Sequence, residues 1–240
     1  RLKLDDERLL SIRMLQPMGL DLSGNPEITL GVLTFLTELT VVAFDNLKPN
    51  ESEFPDPAAL ELAAVTIDDS RLSRSQLHYL SAHPKLSDLT LRNCQLPPQG
   101  LKELSKCRSL ETLDLDNSNI QGLDLKHLTE LHSLTKINVS GTSIKGDDLM
   151  CLASLPNLSV IVAIDTTLND EDVATFRAAS KCSVMIELEG EDDLFGDGDE
   201  SNGEDDLFGD EDEGSFDTDD DDLFGCLPNV RKERNAYFQV

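Results

Sequence analysis

The apolar residues of this chain fall into columns. The first is Leu39, Leu62, Leu86, Leu110, Leu134 and Leu158, spaced 23 or 24 residues apart. The second is Val42, Val65, Leu89, Leu113, Ile137 and Ile161, and the third Phe44, Ile67, Leu91, Leu115, Val139 and Ala163. A fourth inward position recurs at Leu72, Leu96, Ile120, Ile144 and Leu168. Four columns that hold register over five or more units define a repeat architecture. The second and third columns lie two residues apart, the period of a strand with alternate side chains inward. Further on the period becomes helical: Leu101, Leu104 and Cys107 precede Leu110, Leu125, Leu128 and Leu131 precede Leu134, and Leu149, Leu152 and Leu155 precede Leu158. A spacing of three over three turns places these on one helix face. Asp124, Asp147 and Asn169 or Asp170 stand where the helices should start, as acceptors for first-turn amides. No unit can bury its own apolar face, so the units must stack. Each inward Leu or Ile contributes roughly 1.5–3 kcal/mol when fully buried.

The pattern weakens at both ends. Residues 1–15, RLKLDDERLLSIRML, predict an amphipathic helix that covers the open end of the core. Leu20-Asp-Leu22-Ser-Gly-Asn25 is a degenerate first unit, and a last helix with Val173 and Phe176 precedes a final strand at 183–188. The expected layout is a capping helix at 1–15, a solenoid at 16–188, an acidic tail at 189–225 and a basic, aromatic segment at 226–240.

The unit L-x-x-L-x-L-x-x-S-x-I, seen at Leu110–Ile120, resembles the leucine-rich repeat. The resemblance covers roughly residues 16–188, in a short helix-bearing subclass of 24 residues. It implies an α/β solenoid of about seven strand-turn-helix units with a parallel concave sheet. One column departs from the family. The ninth position, often Asn there, reads Leu47, Ser70, Cys94, Ser118, Thr142 and Thr166. Hydroxyls can satisfy backbone groups between coils with fewer bonds, and Leu47 cannot.

Charge adds a second feature. The formal net charge is −27, yet from Glu187 to Asp222 there are 20 acids in 36 residues and no base. Residues 1–186 hold 26 acids against 17 bases. The tail therefore carries most of the imbalance, is expected to be disordered, repels nucleic acid and anionic membranes, and attracts basic proteins. It contains DDLFG three times, at Asp192–Gly196, Asp205–Gly209 and Asp221–Gly225. Leu194, Phe195, Leu207, Phe208, Leu223 and Phe224 are candidate anchors for an apolar pocket, with avidity from the three copies. Ser201 and Thr218, each followed by acids, are candidate phosphorylation sites.

No catalytic constellation emerges. There is no nucleophile–base pair, phosphate loop or metal signature, and no cofactor is expected. Asp197-x-Asp199-x-Ser201-x-Gly203 alternates oxygen ligands, but Gly falls at position seven and Phe208 at position twelve, which argues against a defined calcium loop. His78, His83, His127 and His132 lie in outer segments, with His83 read as a half-buried packing residue. Five scattered cysteines without C-x-x-C spacing argue against disulfides and zinc and for a reducing compartment, nucleus or cytoplasm. No apolar run approaches the roughly 18 residues of a membrane helix. A start on Arg1 is expected of a fragment or processed product.

What remains is an interaction surface. The outward strand residues supply the candidate site: Asp68, Asp88, Arg92, Asp114, Asp116, Asn117 and Lys136, with Val160, Val162 and Ile164 forming an apolar end. A leucine-rich-repeat body with an acidic tail resembles the acidic leucine-rich nuclear phosphoproteins in layout. That resemblance implies a non-enzymatic adaptor whose repeats dock a protein and whose tail binds a basic, histone-like partner. Two other readings stand beside it. The DDLFG copies could recruit a folded domain such as a trafficking-coat appendage, or the chain could be the substrate-recognition arm of a larger enzyme.

Overall fold

The computed structural model describes residues 15, 17–25, 28–36, 38–49, 56–180 and 182–185. The expected capping helix, the tail with its six Leu and Phe anchors, and residues 226–240 lie outside them. Eight strands form one all-parallel sheet in chain order: β1 Gly19–Asp21, β2 Val41–Asp45, β3 Ala64–Asp68, β4 Asp88–Arg92, β5 Thr112–Asp114, β6 Lys136–Asn138, β7 Val160–Val162 and β8 Ser183–Met185. Each strand pairs only with its neighbours in sequence, and the connections run down the other side of the coil. The register aligns the repeat columns, with Leu89 opposite Leu113 and Ile137 opposite Ile161. Leu62, Leu86, Leu110 and Leu134 are fully buried. The degenerate first unit supplies β1, so it is a full coil.

The outer segments are less helical than the apolar spacing suggested. Helices α1 Arg74–Ser81, α2 Gly100–Leu104, α3 Gly146–Leu149 and α4 Asp170–Ala179 alternate with 3₁₀ segments, among them Gly122–Glu130 and Met150–Ser154. A strict interval of three, as in Leu125, Leu128 and Leu131, matches the 3.0-residue turn of a 3₁₀ helix better than 3.6. All three leucines are buried.

Two of the expected caps shift by a residue or more. Asn169 does cap α4, accepting from the Asp172 amide at 3.0 Å while the Asp172 carboxylate accepts from the Asn169 amide at 3.1 Å. At α3 it is Asp148, not Asp147, whose carboxylate takes the Lys145 amide at 2.9 Å. Asp124 plays the same third-position role for Gln121. These carboxylates also sit against the preceding coil: a Cβ on Gly122 would meet the Asp148 carboxylate at 1.8 Å.

The hydroxyl column knits the coils together. Ser70 Oγ accepts from the Leu47 amide at 2.8 Å, and Ser118 Oγ accepts from the Cys94 amide at 3.0 Å. Ser118 also donates to the Leu91 carbonyl at 2.6 Å, and Thr142 donates to the Val139 carbonyl. Leu47 itself is buried and contributes apolar contact instead of a bond. Cys94 donates its thiol to the Ile67 carbonyl at 3.2 Å, and burial pushes that thiol up to about 12. The described cysteines, Cys94, Cys107, Cys151 and Cys182, are all free.

Candidate interaction face

Outward residues of the strands form three columns on the sheet face. The first runs Val41, Ala64, Asp88, Thr112, Lys136, Val160 and Ser183, and the second Ala43, Thr66, Thr90, Asp114, Asn138, Val162 and Met185. The third begins Asp45, Asp68 and Arg92. Strands in a sheet lie about 4.8 Å apart, so side chains in one column are close neighbours.

In three strands a residue of the second column ends the ladder, although β7 and β8 also stop after three residues with Val162 and Met185 there. Asp21, Asp114 and Asn138 each accept, through Oδ1, the amide two residues on, at 2.9–3.1 Å. Such turns compete with the ladder, and β1, β5 and β6 all stop there after three residues. Strands β2, β3 and β4 carry Ala43, Thr66 or Thr90 at this position and run for five.

The candidate residues divide into a cluster and two outliers. Arg92 stands opposite Asp68 on β3; its Nε donates to Asp114 Oδ2 at 2.8 Å and its Nη2 lies 2.8 Å from the same oxygen in an ion pair. Asp116 follows in the next coil, accepting the Asn117 side-chain amide at 3.0 Å. One guanidinium is thus set among Asp68, Asp114 and Asp116, with Asp45 beside Asp68, and the centre of the face stays negative. Asp114 faces outward as its column requires, yet it is buried, because Arg92 lies over it. Both of its oxygens are committed. Asp88 and Lys136 stand apart, at the start of their strands and with Thr112 between them. Asp88 is exposed and accepts the Ser87 hydroxyl at 2.6 Å.

Asn117 has a different rationale from the one its exposure suggested. It belongs to a column of residues with positive φ: Asn46 (53°), Asp69 (52°), Asn93 (49°), Asn117 (55°), Gly141 (62°) and Asp165 (52°). Gly, Asn and Asp are the residues that accept this left-handed conformation at low cost. Sequence reasoning passed over this column, although a position held by only Asn, Asp and Gly at the repeat interval was the signal for it. The column borders a groove of about 530 Å³ at the C-terminal ends of the strands, where Asn93 donates to Asp69 at 2.6 Å.

Toward β8 the face turns apolar. Val160 and Val162 are half-buried, while Ile164 and Met185 are 37% and 41% exposed. Met185 extends the expected patch by one strand, since it pairs with Val162. Among the described residues, no group of three or more His, Cys, Asp or Glu is placed to hold a metal ion. No helix among them is long and apolar enough to cross a membrane.

No protein-family model matches this chain, and no curated protein sequence does. Solved structures do. An internalin from Listeria monocytogenes superposes with a TM-score of 0.52 at 18% identity, over 79% of this chain and 52% of that one. The chain thus spans about half the length of that protein. Internalin C2 of the same organism superposes with a TM-score of 0.52 at 26% identity, over 75% of each chain. With the all-parallel eight-stranded sheet, this makes the fold a leucine-rich-repeat solenoid, a protein-interaction repeat.

Proposed function

We propose that the chain is a non-enzymatic adaptor that binds a basic, histone-like protein in the nucleus or cytoplasm, through the sheet face and the acidic tail together. The observation that carries this reading is the negative centre of the face, where Asp68, Asp114 and Asp116 are set about a single Arg92 and Asp45 lies beside Asp68. The tail repeats the same sign of charge over a longer stretch. A basic partner is attracted to both surfaces, and one that engages both gains from their linkage. Asp68 and Asp116 flank Arg92 in its own column and are the face residues chosen for the test. The apolar end at Ile164 and Met185 supplies a non-ionic contact at the rim of the same face.

The test is binding of a purified core-histone dimer by the full chain. Affinity should fall steeply between low and high salt, and the double variant Asp68→Asn, Asp116→Asn should weaken it further at constant salt. Binding that is indifferent to both changes overturns the reading. A second reading rests on the three DDLFG copies, which would recruit a folded domain such as a trafficking-coat appendage. Changing Phe195, Phe208 and Phe224 to Ala preserves charge. Under the charge-driven reading histone binding survives that change, and under the motif reading partner capture is lost.

A further inference from the structure

The side of the solenoid opposite the sheet carries the other sign of charge in its middle coils. Between Arg71 and Leu110 the chain holds seven Lys or Arg against two acids, Asp88 and Glu103. Of the seven, Arg92 stands in a strand, Arg71 lines the groove at the strand ends and Lys85 pairs with Glu61 at 2.6 Å, which leaves Arg74, Lys102, Lys106 and Arg108. Two cations converge on Glu103, Arg74 Nε at 3.8 Å and Lys106 Nζ, and His78 Nδ1 lies 3.5 Å from it. One carboxylate cannot neutralise them. Exposed Arg108 reaches Glu130 at only 4.0 Å, so its charge is largely available too.

Beside this cluster lies a cleft of about 420 Å³ between the last turn of α1 and the loop after α2. His83 and Cys107, both 1% exposed, form its floor, and Pro84, Lys106 and Arg108 its exposed rim. The His83 ring packs edge-on against Tyr79 at 4.8 Å, and neither ring nitrogen closes a hydrogen bond. The carbonyls of Pro57 and Leu60 approach it without doing so. The floor is thus a buried imidazole ring and a thiol, with cations above it. That is the arrangement an acidic peptide with one large apolar side chain would recognise.

We infer that this cleft docks an acidic segment of a separate protein, seating a Leu or Phe side chain on His83 and Cys107 and its carboxylates on Lys106 and Arg108. The rim offers two cations and the floor room for one or two side chains. A short peptide fits that footprint, whereas a long polyanion would also have to cross Glu61 and Glu130. The full chain thus has two opposed specificities, with an acidic face for a basic partner and a basic cleft for an acidic one.

A fluorescein-labelled peptide with the sequence of residues 204–210, EDDLFGD, is a suitable probe, titrated against the full chain by fluorescence polarisation. Saturable binding is expected, weakened about tenfold in the double variant Lys106→Gln, Arg108→Gln. Both side chains are exposed, so the variant should keep the wild-type circular-dichroism spectrum and melting temperature. A peptide with Leu and Phe changed to Ala should bind at least as weakly to the wild type. Equal binding by the double variant, or by the Ala peptide, overturns the inference. So does a wild-type chain that ignores the probe while its Phe195, Phe208 and Phe224→Ala variant binds it, because the chain's own tail then holds the cleft.

Discussion

Arg92 donates through Nε to one oxygen of Asp114 at 2.8 Å and pairs with it through Nη2 at 2.8 Å, while the other Asp114 oxygen takes the Asp116 amide at 3.1 Å. The ion pair crosses two strands and the turn ends one of them, so Asp114 serves the fold before it serves any partner. In a double-mutant cycle of Arg92→Ala and Asp114→Ala, measured by urea denaturation, the coupling should be about 0.5–1 kcal/mol, modest because Arg92 is partly solvated. Asp114→Ala alone should cost more than Arg92→Ala, through loss of the turn. Equal single costs would remove the turn from the account.

The hydroxyl column predicts a sharper loss. Ser118→Ala leaves the buried Cys94 amide and Leu91 carbonyl without their bonds, at roughly 1–3 kcal/mol. Ser118→Thr, which keeps the hydroxyl, should recover part of that stability in the same denaturation assay. A neutral Ser118→Ala would show that the coils are held by apolar packing alone.

At Gly141 the backbone has φ +62°, and an added Cβ would stand 2.2 Å from the Asn117 side-chain oxygen. Gly141→Ala should therefore destabilise by more than the roughly 1–2 kcal/mol of the left-handed conformation. Adding Asn117→Gly removes the clash while leaving the backbone cost. The double variant should melt above the single one, and failure to do so would locate the strain elsewhere.

His83 gives the fold a pH dependence. Burial lowers its pKa from the ordinary 6.5, with the carbonyls of Pro57 and Leu60 opposing that shift. As pH falls, the unfolded chain takes up this proton first. Stability is therefore full above about pH 6.5, declines on acidification below it, and levels once the folded pKa is passed. The urea midpoint should drop between pH 7.5 and 5.5, and His83→Phe should flatten that drop. An unchanged slope in the variant would mean that His83 takes up its proton equally in the folded and the unfolded chain.

Much of this architecture was legible beforehand because burial is periodic. Leu110, Leu113, Leu115 and Ile120 were assigned inward from spacing alone, and all four are buried. A chain that buries one stripe per turn of a solenoid writes that stripe into its sequence. The hydroxyl column was legible for the same reason, since Ser118 recurs at the coil interval as a hydrogen-bonding residue. The caps were less so, because several acids crowd each helix start and only geometry distinguishes Asp148 from Asp147.

The sequence by itself determined the repeat, its inward columns and the charge of its segments, all properties that one residue carries wherever its neighbours lie. Tertiary structure alone decided which outward charges meet. Arg92 and Asp114 are 22 residues apart, and their pairing depends on strand register and on a diagonal reach between columns. The cations of α1 and of the loop after α2 converge on Glu103 only once two coils are stacked. A periodic sequence predicts its own interior because burial is common to every coil, whereas a surface is made by particular side chains from different coils, and their contacts exist only in the folded stack.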